Sequence, residues 1–220
     1  MKFSAVIFDK DGVIIDTQPI HFRVFNEFCR EFNWDIPSEQ YETYIGITSI
    51  ELFTRIKEIY NVQYSVMELV ELFQNKYLHE IALLKNEKPI KGVDQLIKAL
   101  YGQGIKLAIA SSASRKKIKM VLQMFELEPY FDVIVSGFEV EKSKPFPDIF
   151  LRAAEQLGVP TSECVVIEDS THGISAAKAA NIFCIGYQNP MGKQNLSQAD
   201  RIVDDFSELL KSDFIYGHKY

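Results

Sequence analysis

A mostly apolar run from Phe3 to Phe8 stops abruptly at Asp9 and is followed at once by Lys10, Asp11 and Gly12. A short apolar run bounded by loop residues predicts a buried strand that opens into a polar turn. From Gln18 to Leu84 the pattern becomes helical. Phe22, Phe25, Phe28, Cys29 and Phe32 recur at three- and four-residue spacing, the mark of one amphipathic helix. The segments Ser38 to Tyr44, Ser49 to Tyr60 and Ser65 to Leu84 each begin near a serine and keep helical periodicity, so they predict further helices. Nothing in this block reads as a strand. It is too long for the crossover of a parallel sheet, which predicts a separate lobe hinged near Asp16 to Pro19 and near Asn86 to Gly92.

Beyond Gly92 strands and helices alternate. The pattern predicts helices over Val93 to Tyr101, Arg115 to Phe125, Pro147 to Leu157 and His172 to Ala180. Between them it predicts strands over Lys106 to Ala110, Val133 to Val135, Cys164 to Ile167 and Phe183 to Ile185. Such alternation implies an α/β fold: an open parallel, Rossmann-like sheet with helices on both faces, plus the inserted all-helical cap domain. The expected organisation is a core domain of residues 1–16 and 87–220 and a cap domain of residues 17–86.

Composition narrows the function classes. A chain of 220 residues that is 47% hydrophobic can bury a substantial core. Its apolar stretches are far shorter than the roughly 20 residues of a membrane span, and its first residues do not have the pattern of a secretory leader. A soluble, cytoplasmic monomer is expected. Cys29, Cys164 and Cys184 are odd in number and lie in apolar surroundings, which points to buried free thiols rather than disulfides or a zinc site. A net charge of −6 argues against a nucleic-acid partner.

The chemistry gathers at the strand ends, where ligands of such sheets bind. Asp9 and Asp11, two residues apart in extended chain, project to the same side. Their mutual repulsion is relieved by a divalent cation or by a proton on one of them, and both remedies suit phosphoryl transfer. Asp9 would attack phosphorus while Asp11 gives and later takes a proton. Gly12 lets the backbone pass close to an anion. The later strand ends supply Ser111 and Ser112, then Lys144, then Glu168 and Asp169. A serine and helix-terminal amides suit phosphate, a lysine offsets its charge, and further carboxylates complete an oxygen shell.

Four separated motifs carry a resemblance to the haloacid dehalogenase superfamily along almost the whole chain. They are Asp9-Lys10-Asp11-Gly12-Val13 with Asp16-Thr17; Ala110-Ser111-Ser112; Lys144-Pro145-Phe146-Pro147-Asp148; and Ile167-Glu168-Asp169-Ser170 with Gly173. The resemblance implies Asp9 as nucleophile through an aspartyl-phosphate, Asp11 as acid/base and Lys144 as a further catalytic group. It implies Mg²⁺ held by Asp9, the Asp11 carbonyl and Asp169 with Glu168 in support, and phosphate held by Gly12, Ser111, Ser112 and Lys144. A second aspartate at position 11 favours phosphate esters over carbon–halogen bonds. The group most resembled is that of β-phosphoglucomutase and phosphoglycolate phosphatase, with His21 where sugar phosphomutases carry a cap-side histidine.

Ser49 stands where the mutase has an arginine that grips a second phosphate, and a serine cannot form a charged bidentate clamp. Other cationic side chains of the cap, Arg55 and Lys76 among them, could take its place. Asn181 replaces a glycine and tolerates the left-handed conformation nearly as well. The expected activity is therefore Mg²⁺-dependent hydrolysis of a small phosphorylated metabolite, with a sugar phosphomutase as the alternative. A phospho-accepting receiver module shares these residue types but puts its acceptor on a middle strand and has no helical insertion.

Overall fold

The computed structural model describes residues 3–60, 62–83, 87–190 and 194–211. Six parallel strands, β1 (Ala5–Phe8), β2 (Lys106–Ser111), β3 (Val133–Ser136), β4 (Cys164–Glu168), β5 (Phe183–Tyr187) and β6 (Arg201–Val203), form one sheet in the order β3-β2-β1-β4-β5-β6. The first strand lies in the middle, Phe8 facing Ile109 on one side and Ile167 on the other. Asp9 thus emerges between the ends of β2 and β4.

The period of two along the three central strands feeds two separate cores. Val6, Phe8, Leu107, Ile109, Val165 and Ile167 face a layer formed by α5 (Val93–Gly102), α6 (Arg115–Met124) and α9 (Ser207–Lys211). Ala5, Ile7, Ala108, Ala110, Cys164 and Val166 face α7 (Asp148–Leu157) and α8 (Thr171–Ala179). All three cysteines are buried as free thiols. The left-handed conformation expected at Asn181 is present, with φ of 56°.

The block between β1 and α5 is helical, as its pattern predicts. It comprises α1 (Gln18–Glu31), α2 (Ser38–Glu42), α3 (Ser49–Ile59) and α4 (Val66–Ala82). Its helices enclose a core of their own around Phe25, Phe28, Phe53, Phe73 and Ile81, to which α6 adds Met120 and Met124. Leu84, at the end of the last predicted cap helix, and Asn86, at the start of the second hinge, lie outside the described residues.

Two elements go beyond the sequence reading. Strand β6 is three residues long with Ile202 49% exposed, so it has no apolar run and is defined only by pairing with β5. Helix α9 covers the same sheet face through Leu209.

Candidate active site

Each group of the site occupies the end of an element. Asp9 follows β1 directly and its N–H donates to Ile167 O at 2.9 Å. Ser111 closes β2, Glu168 closes β4, and Lys144 lies in the loop before α7. The Lys144 ammonium donates to Asp9 Oδ1 and Glu168 Oε1, both at 2.6 Å, and to Ala110 O at 3.2 Å. Burial works against that charge, but the two carboxylates outweigh it and hold Lys144 above its ordinary value. Glu168 Oε2 accepts from Ser170 N–H and Ser170 Oγ at 2.8 and 2.9 Å. The first turn of helix α8 has glycine at position 173 for lack of room, since a Cβ there would lie 1.7 Å from Glu168 Oε1.

Asp9, Glu168 and Asp169 form a buried group whose ligand oxygens lie within 4.8 Å of one another. One lysine does not balance three carboxylates. Burial, with Glu168 and Asp11 close by, pushes Asp9 up to about 7, and burial with Glu168 and Asp9 raises Asp169 well above the usual range. Clustered, buried and under-neutralised oxygen donors fit a hard divalent cation. Gly12 leaves the space for this: its φ is +78° and a Cβ would lie 1.8 Å from Asp169 Oδ2.

Asp11 stands apart from that cluster. Its Oδ1 meets the Lys10 ammonium at 2.7 Å and accepts from the Thr17 hydroxyl. Burial pulls Asp11 upward, yet the Lys10 charge and the hydrogen bonds from Lys10 and Thr17 prevail and hold it below the ordinary value. Of the two remedies for the Asp9–Asp11 pair, the resting arrangement therefore puts no proton on Asp11. The sequence assigns Lys10 no role although it stands within the first motif, since strand alternation aims it away from Asp9 and Asp11, whereas it is only 1% exposed and pairs with Asp11. A lysine set between two aspartates is the signal that was available.

The remaining groups line a cavity of about 100 Å³ between the sheet ends and the helical block, with Asp11, His21, Ser49, Tyr77, Ser111 and Lys117 among its walls. Ser111 Oγ accepts from Ala113 N–H at 3.2 Å, folding the loop that follows β2. Ser112 turns its hydroxyl to the helical block, donating to Gly46 O at 2.7 Å, and His172 Nδ1 donates to Ile45 O at 2.9 Å. His21 is hydrogen-bonded through Nδ1 to Tyr41 OH at 2.8 Å and lies against Phe73 and Tyr77. Burial, with the Lys117 charge nearby, pushes it down to about 3, so it enters the site as a neutral ring and not as a cation. Arg55 and Lys76 are absent from the cavity wall: Arg55 is paired with Glu51 at 2.9 Å and Lys76 with Glu31 at 2.5 Å.

The model of the haloacid dehalogenase-like hydrolases matches residues 6–187. The chain belongs to that family. It is an enzyme of the phosphoric monoester hydrolase kind. A phosphorylated carbohydrates phosphatase of Thermotoga maritima is 32% identical over 81% of the chain and 82% of the relative. The crystal structure of β-phosphoglucomutase from Clostridium difficile superimposes with a TM-score of 0.86 at 30% identity, covering 98% of the chain and 96% of the other. The chloroplastic protein SUPPRESSOR OF QUENCHING 1 of Arabidopsis thaliana is 34% identical over 98% of the chain, which spans 21% of that much longer protein.

Proposed function

We propose that the chain is a Mg²⁺-dependent phosphatase of small phosphorylated metabolites acting through an aspartyl-phosphate on Asp9. The observation that carries this is the Lys144-braced group of Asp9, Glu168 and Asp169 with Asp11 held separately beside it. In this reading residues 1–16 and 87–220 form the catalytic core and residues 17–86 the cap. Asp9 and Asp169 would hold the ion together with the Asp11 carbonyl, Glu168 supporting them, and the ion supplies charge neutralisation for the phosphoryl oxygens.

Lys144 fixes the Asp9 carboxylate by holding Oδ1. An Asp9 oxygen bonds to phosphorus as the bond from phosphorus to the leaving oxygen breaks, and Asp11 delivers a proton to that oxygen. The incoming phosphoryl charge raises Asp11's proton affinity above its resting level, so that Asp11 takes up this proton from water as the ester binds. Water then attacks the phosphorus of the aspartyl-phosphate, Asp11 takes its proton, and the Asp9 carboxylate is regenerated. The loop from Ser111 and the N–H groups after Gly12 would cradle the phosphate oxygens. The cavity is smaller than the roughly 300–1,000 Å³ of ordinary small-molecule sites, so in this reading the cap has to move to admit substrate.

Isomerisation is the second reading, favoured by the likeness to β-phosphoglucomutase. The cap wall opposes it, because the arginine position is Ser49 and no cap arginine or lysine is among the described residues that line the cavity, Arg55 and Lys76 being paired with Glu51 and Glu31. The test is a panel of phosphorylated metabolites assayed for phosphate release, with a coupled assay for glucose 6-phosphate from β-glucose 1-phosphate in the presence of bisphosphate primer. Phosphate release that requires Mg²⁺ and stops in EDTA is expected. Isomerisation faster than phosphate release would replace the phosphatase reading with the mutase.

A further inference from the structure

The cavity wall contains two lysines, and they are in opposite situations. Lys10 is paired with Asp11 at 2.7 Å. Lys117, reaching in from α6, has no carboxylate within 4.0 Å among the described residues and is only 5% exposed. Its ammonium lies 4.1 Å from the centroid of the Tyr77 ring and 5.7 Å from that of Phe73, both on cap helix α4. Ring faces attract a cation, but they do not replace the hydration that a buried ammonium gives up. Burial, with the Lys10 charge adding to it and the more distant Asp11 only partly opposing it, brings Lys117 down to about 7. Lysine in such a place is costly unless an anion arrives to pair with it.

That anion is not the reacting phosphoryl group in the reading above, which Lys144, the Ser111 loop and the metal-binding carboxylates account for. We propose that Lys117 determines substrate specificity by pairing with a second negative group on the phosphomonoester. The substrate class is then a small phosphate ester with a carboxylate or a further phosphate, and the cation that reads it comes from the core helix instead of the cap. Tyr77 and Phe73 hold the ammonium in place, so cap closure and recognition of that group occur together. The proposal rests on the phosphatase reading.

The experiment compares Lys117→Met and Lys117→Arg with the unaltered chain in Mg²⁺. Two probes leave a neutral remainder, p-nitrophenyl phosphate and glycerol 3-phosphate. One has a carboxylate, 3-phosphoglycerate, and one has a second phosphate, glucose 1,6-bisphosphate. For whichever acidic ester the enzyme prefers, Lys117→Met is expected to lower kcat/KM by about 30-fold, mainly through KM, the loss typical of one hydrogen-bonded charge. The neutral esters should change by less than about 3-fold, and Lys117→Arg should recover most of the loss.

Equal losses on neutral and acidic esters would overturn the proposal and make Lys117 a brace of the cap. So would no loss on any ester, or an unaltered enzyme that prefers neutral esters. Hydrolysis of none of the four would sink the phosphatase reading and this inference with it.

Discussion

Gly12 and Lys144 show how closely single residues are tied to the carboxylate cluster. Gly12 combines a φ of +78° with a Cβ direction that points 1.8 Å from Asp169 Oδ2. Gly12→Ala should therefore displace Asp169 and lower kcat by at least about 100-fold, the scale of a lost electrostatic contact in a preorganised site. Activity within a few-fold of the parent in Mg²⁺ titrations would show that Asp169 is free to move. Lys144→Met leaves Asp9 and Glu168 buried without their shared cation. Breaking such a group from one side costs about 3–5 kcal/mol, to be read from urea unfolding in EDTA at neutral pH. Sequence spacing made the carboxylates and Lys144 legible because each closes or follows an apolar strand. It left Lys117 unread, although the position belongs to the apolar stripe of α6 with Ile118, Val121 and Leu122 and a lysine there was a visible anomaly. What gives the residue its meaning, the rings of α4, lies 40 positions away in the chain.

Helix α4 presents those rings, and its start is secured locally. Ser65 accepts from Glu68 N–H at 3.2 Å while Glu68 accepts from Ser65 N–H at 2.7 Å, a complete capping box. Ser65→Ala should destabilise the chain by about 1 kcal/mol. It should leave kcat within about 2-fold, since the first turn lies away from the cavity wall. Thermal unfolding and steady-state rates measured on the same sample check both halves. The elements themselves were readable wherever burial leaves a mark: continuous apolar runs along β1, β2 and β4, which are buried on both faces, and a period of three to four along α1, α3, α5 and α6. Strand β6 was not, because three residues at the sheet edge with one side exposed carry no such mark and depend on β5 for their definition.

The molecule concentrates negative charge between two packed layers, and its stability should report this. Burial raises the pKa of Asp9 in the folded chain to about 7, above the ordinary 3.8 of an aspartate, and Asp169 shifts in the same direction. Between those values the folded state holds more protons than the unfolded state, so stability in EDTA should fall as pH rises from about 4 to about 7. Mg²⁺ should remove most of that slope, because a cation that binds the ionised cluster favours the folded state. Denaturation midpoints across this range, with and without Mg²⁺, give the comparison, and a metal-free chain that gains stability over the same interval would refute the charge arrangement. The covalent step is tested most directly by acid-quenching the enzyme during turnover in Mg²⁺ and determining by mass spectrometry whether the peptide containing Asp9 carries a phosphoryl group. That group should form and decay at least as fast as turnover and be absent from Asp9→Asn, which should retain less than about one-hundredth of the activity. Steady turnover with an unmodified Asp9 peptide, or an Asp9→Asn protein that keeps its rate, would contradict nucleophilic catalysis by Asp9.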